Sequence, residues 1–151
     1  MKSEKEIRFY NILFPIWFLI FIPTVWLVVL PANFIVDSLV ILLVMQIIKT
    51  QNKKELYKKS ILKVWIFGFI SDIIGAAFLF LTMWVLELGI QGDELYLTIP
   101  ATLIAAVFIF IFNYSISFKG CERVERLKLS LALALFTAPY TFLIPLEWIY
   151  Y

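Results

Sequence analysis

The chain has 151 residues, room for a single domain, and 63% of them are hydrophobic against 16% charged, where soluble domains run at about 45–50% and about 25%. A soluble fold of this size leaves too much surface in water to hide so much apolar material, so lipid is the solvent that fits. A net charge of +2 gives no ground for a nucleic-acid partner, and with no histidine and one cysteine, Cys121, the chain lacks the commonest metal ligand and any internal disulfide.

A helix crosses a hydrocarbon core of roughly 30 Å with about 20 apolar residues. Five stretches meet that requirement, at residues 10–30, 32–48, 64–86, 97–118 and 129–148. Lys2, Lys5 and Arg8 precede the first. It reads as a span and not as a cleaved leader, because its apolar run is about twice a signal-peptide core and no A-x-A-like site follows. Pro15 and Pro23 are expected to kink it. Pro31-Ala32-Asn33 is expected to form a tight turn, making the first two spans a close antiparallel hairpin. The second span is broken only by Asp37, and the connection from Lys49 to Lys63 carries six lysines. That connection reads as a solvated topology signal able to rest on anionic headgroups. Asp72 alone breaks the third span, and a short acidic loop with Gly89, Gly92, Asp93 and Glu94 follows. Lys119, Arg123, Arg126 and Lys128 follow the fourth, together with Cys121, read as a free thiol. The fifth contains Pro139 and Pro145, again as kinks, and ends near Glu147. Glu87 and Glu147 fall at the outer boundary and receive no role.

All 13 basic residues lie on one side of this arrangement, and positive charge marks the cytoplasmic side. Tryptophans and tyrosines near the span ends, such as Trp26, Trp65, Trp84 and Tyr96, suit aromatic belts. The expected architecture is therefore an all-α polytopic bundle in the cytoplasmic membrane. It is one integral domain over residues 1–151, with five transmembrane helices, the N-terminus inside and the C-terminus outside.

Asp72 is the leading candidate for a functional residue. It stands nine residues beyond Lys63, about 13–14 Å up a helix and so near the midplane. A carboxyl at that depth costs at least ~2.5–3.5 kcal/mol, and such groups are functional-site hypotheses by default. No span holds a Lys, Arg or His to pair with it. Asp72 is therefore either protonated and donating a hydrogen bond to a neighbouring helix, or ionised and holding a cation or facing water. Gly68, Asp72, Gly75, Leu79 and Thr82 share one helix face, flanked by Ser71. Small residues allow close helix approach in lipid, so the acid looks into protein.

Asp37 stands twelve residues from Lys49, about 18 Å up its span, which leaves the two carboxyls about 4–5 Å apart in depth. That admits a pair sharing a proton or a cation. The preferred reading of Asp37 is nevertheless an interfacial or capping residue near a helix start. Thr98, Thr102, Ala105 and Asn113 near one face of the fourth span, and Ser130, Ala134, Thr137 and Thr141 on the fifth, are read mainly as packing detail, with Asn113 a supporting polar group.

The chain has no phosphate-binding loop, dinucleotide fingerprint, zinc-protease motif or nucleophile elbow, so no catalytic residue, metal site or cofactor is read from it. The leading expectation is a small membrane protein that moves, or helps to move, an ion or small solute through Asp72, with the bilayer as its environment and a second copy or another membrane protein as partner. The alternative is a non-catalytic subunit or anchor that assembles through its helices and basic loops. An intramembrane enzyme ranks last.

Overall fold

The computed structural model describes residues 16–86 and 95–144, with 16–18 given by backbone alone. The basic tail, Pro15, the acidic loop from Glu87 to Glu94, Pro145 and Glu147 lie outside the described residues. Everything described is helix, turn or coil, with no strand.

After a 3-10 turn at Ile16–Phe21, helix α1 runs over Pro23–Ile47. Pro23 opens the helix and does not kink it, since the first helical position has no use for the missing N–H. The expected turn at Pro31-Ala32-Asn33 does not form. Pro31 lies inside α1, and the expected first two spans merge over residues 23–47. The reason is the solvent: in lipid a turn would strand several backbone groups, whereas a proline inside a helix strands few that its neighbours cannot satisfy. Trp65 Nε1 donates to the Leu30 carbonyl at 2.8 Å, tying the backbone at this proline to the next helix.

The turn after α1 is closed by two backbone bonds, Thr50 N–H to Met45 O at 3.0 Å and Lys49 N–H to Gln46 O at 3.3 Å. These are the paired bonds of a Schellman ending. They place Lys49 at φ 55°, where glycine would ordinarily sit. Asn52 repeats the left-handed conformation at φ 54°, which asparagine tolerates better than most residues. Thr50 also donates to Glu125 at 2.5 Å, fastening the turn to the start of the fourth helix.

Helix α2 covers Lys53–Phe80 and widens into a π turn at Leu81–Val85. Helix α3 covers Leu95–Phe112 and widens likewise at Asn113–Ser117. Helix α4 covers only Arg123–Phe136, followed by a 3-10 turn at Tyr140–Leu143. The expected fifth span is thus divided: a residue before proline is pushed out of helical geometry, and Ala138 precedes Pro139.

The four helices contact one another in the ring order α1, α2, α3, α4 and back to α1. Two apolar layers fill the ring. One, near the basic connections, includes Ile41, Met45, Val64, Phe118 and Leu133; the other, at the far end, includes Ile20, Ala76, Leu79, Ala101 and Phe142. Outside the ring, large apolar side chains such as Leu27, Ile47 and Leu103 are exposed. Among the described residues three helical stretches are long and apolar enough to cross a membrane, Pro23–Ile47, Lys53–Val85 and Leu95–Ser117.

Candidate functional site

Between the two apolar layers lies a polar one. Helix α1 supplies Asn33 and Asp37, and α2 supplies Gly68 and Asp72. Each pair is four residues apart, so both of its members face the same way. Asp37 is 4% exposed and Asp72 8% exposed. Asn33 Nδ2 donates to Asp72 Oδ2 at 3.3 Å. A Cβ placed on Gly68 would stand 3.4 Å from Asp37 Oδ2, in ordinary contact, so the Asp37 carboxyl lies directly against α2 at Gly68. The two carboxyls interact electrostatically. Asp37 is therefore no helix cap: it sits well inside α1, on the side of Asp72.

A third element closes the site. Thr137 ends α4 close to Asp37, and its hydroxyl donates to the Leu133 carbonyl at 2.8 Å. A hydroxyl has one proton to give. With that proton given to the Leu133 carbonyl, Thr137 has only lone pairs to offer Asp37. The end of α4 itself carries roughly half a negative charge from its carbonyl dipoles. Two carboxyls and a helix C-terminus thus converge, and no Lys or Arg occurs in residues 64–118 or 9–48 to offset them. Asp72 Oδ1 is buried and has no protein partner.

Ser71, Gly75, Thr82 and Asn113, the other candidates for the site, are buried as well, whereas Thr141 is exposed. Ser71 donates to Phe67 O at 2.7 Å and Thr82 to Phe78 O at 2.8 Å, each spending its proton on its own helix. Gly75 lies one turn past Ser71, where a Cβ would come within 3.0 Å of both the Ala101 carbonyl and the Phe142 ring. Asn113 is fully buried at the basic end of α3, its amide nitrogen donating to Ile109 O at 2.8 Å. Sequence reasoning missed Asn33, assigned to a turn, and treated Thr137 as packing. The signal for Asn33 was its four-residue spacing from Asp37; for Thr137 it was the proline two residues later.

Among the described residues no group of three or more His, Cys, Asp or Glu is placed to hold a metal ion. Among the described residues the site's charged groups are these two acids. The chain matches no protein-family model, no curated protein and no solved structure. The site's own chemistry is what remains to argue from.

Proposed function

We propose that this is a small multi-pass membrane protein that moves, or helps to move, a proton or small monovalent cation bound between Asp37 and Asp72. In this reading α1, α2 and α3 cross the bilayer, and the basic connections at residues 49–63 and 119–128 face the cytoplasm. Helix α4 enters from that side and stops at the site, with the Tyr140–Leu143 turn continuing outward.

One observation carries the reading: two buried carboxyls lie beside the C-terminal end of α4 where residues 9–48 and 64–118 hold no Lys or Arg, the basic residues of α4 standing nine or more residues back from Thr137. Broken helices whose C-terminal ends face an ion are a recurring device for binding Na⁺ or H⁺ at membrane depth. Release would come with movement of the segment after Phe136, where α4 gives way to the 3-10 turn. Thr137, with its proton on the Leu133 carbonyl, can accept from a protonated Asp37.

The test is flux in sealed proteoliposomes. Wild-type protein is expected to dissipate a proton gradient or take up Na⁺ or K⁺, and Asp72→Asn and Asp37→Asn are expected to lose at least tenfold of that flux while keeping wild-type helicity. Thr137→Ser should retain most of it and Thr137→Val should not. Wild-type vesicles as tight as empty ones to all three ions would overturn the proposal.

A further inference from the structure

The described residues contain five buried side-chain nitrogen or oxygen atoms without a protein partner: Asp72 Oδ1, Asn113 Oδ1, Ser117 Oγ, Ser130 Oγ and Arg126 Nε. Buried polar atoms are nearly always satisfied, and where protein does not serve them, ordered water does. Their placement is one-sided. Arg126 lies in the first turn of α4, and Ser130, Ala134 and Thr137 follow at spacings of four, four and three along one face. Asn113 and Ser117 lie four residues apart in the π turn that ends α3 at the basic connection. The wider π turn leaves backbone spacing that an α-helix would close, and such turns are frequent at functional sites. Ser130 and Asn113 are fully buried. The series starts at the Arg126 guanidinium, 4.1 Å above the Tyr114 ring, and ends at the carboxyl pair.

The far half of the ring is the opposite case. Its hydroxyls are served by their own helices: Thr82 by Phe78 O at 2.8 Å, Thr98 by Leu95 O at 3.4 Å and Thr102 by Thr98 O at 2.8 Å. Gly75, the Ala101 carbonyl, Ala105 and Phe142 meet there with no room for one more carbon. None of the five unpartnered atoms lies in this half.

We infer that ordered waters along the seam of α3 and α4, threading past the apolar layer of Phe118, Leu129 and Leu133, form an access path joining the Asp37–Asp72 pair to the basic face, and that the contact of Gly75 with Ala101, Ala105 and Phe142 seals the other side. The inference rests on the pair being the ion site, and it fixes the side from which that site is loaded. Ala134, between Ser130 and Thr137, is the small residue that lets the path pass α4. Water along it supplies the hydrogen bonds that the five atoms lack, and it carries a proton or a partly hydrated cation to Asp72 Oδ1.

The experiment uses single cysteines at Ser117, Ser130 and Ala76 in a Cys121→Ser chain, in sealed vesicles of either orientation. Silver ion, a water-sized thiol reagent, is applied to one face, and the thiols left are counted with a fluorescent maleimide after denaturation. Ser117→Cys and Ser130→Cys are expected to be blocked at least tenfold faster from the basic face than from the other, and Ala76→Cys from neither. Ser130→Cys reacting no faster than Ala76→Cys would overturn the path. Reaction of Ser130→Cys from the far face would overturn the seal. Should a cysteine variant not fold, radiolytic footprinting of the unmodified chain replaces it. Oxidation of Leu129, Leu133 and Phe118 is expected, with Leu79, Leu97 and Phe142 spared; an equal pattern in both sets overturns the path. Labelling from the basic face without any ion flux would keep the path and remove the transport reading, whereas flux without labelling would do the reverse.

Discussion

Two glycines on α2 separate packing from chemistry. At Gly75 an added methyl meets a backbone carbonyl and an aromatic ring at 3.0 Å each, and Ala105 Cβ at 3.1 Å. The carbonyl belongs to a helix and cannot swing aside, so Gly75→Ala forces α2 and α3 apart. Overpacking of this kind typically costs about 1–3 kcal/mol. Gly75→Ala is therefore expected to lower the midpoint of thermal unfolding in detergent. At Gly68 the nearest atom is Asp37 Oδ2, at 3.4 Å, the end of a side chain and not a backbone. Gly68→Ala is expected to fold with a midpoint near wild type, its methyl in ordinary contact with the carboxyl, so that any change of ion flux in it reports on the site and not on packing. Equal loss of stability in the two variants would contradict this division of labour. Asp72 and Asp37 were both visible in the sequence, because depth can be counted from the lysines that anchor each helix. That Asp37 lies on the side of Asp72 was not, because azimuth depends on where α1 begins, and Pro31 was taken as its boundary.

At the level of elements, the endings of the helices decide the architecture. Lys49 holds a left-handed backbone in a Schellman ending, a conformation that costs a residue with a Cβ roughly 1–2 kcal/mol. Glycine removes that strain but loosens the unfolded chain, so Lys49→Gly is expected to stabilise by about 0.5–1 kcal/mol. Thermal or chemical unfolding in detergent would show it; a fall in stability would mean that the lysine side chain matters more than its backbone. Helix identity was largely legible: the apolar runs of α2 and α3 lie where the sequence puts them, because a charge at each end leaves little choice. The two errors share one cause, the weight given to proline. Pro31 is absorbed into α1, where lipid favours continuity, whereas Pro139 stops α4, where a buried carboxyl and Tyr140, whose hydroxyl donates to the Leu135 carbonyl, reward the break.

For the whole molecule, the basic connections lie at the joined ends of α1 and α2 and of α3 and α4. The ring therefore has one strongly basic end, fastened across by Thr50 and Glu125. Single cysteines in a Cys121→Ser chain should show which way that end faces in cells. Gln51→Cys is expected to react with an impermeant maleimide only after permeabilisation, and Gln91→Cys in intact cells. The reverse pattern would invert the molecule and, with it, the side from which the carboxyl pair is reached.

Helix α4 has 14 residues, about 21 Å at 1.5 Å per residue, against a hydrocarbon core of roughly 30 Å. It opens on Arg123, Glu125, Arg126 and Lys128, so it has neither the length nor the composition to enter a bilayer unaided. During synthesis it would leave the ribosome last among the described helices and find α1 to α3 already present. Its partition into the membrane is then an act of docking: the ring it completes supplies the shelter that its own surface lacks. In the proposed reading the carboxyl pair is finished only when Thr137 arrives, so the ion site comes into being as α4 docks, and a chain in which α4 has not docked carries no leak.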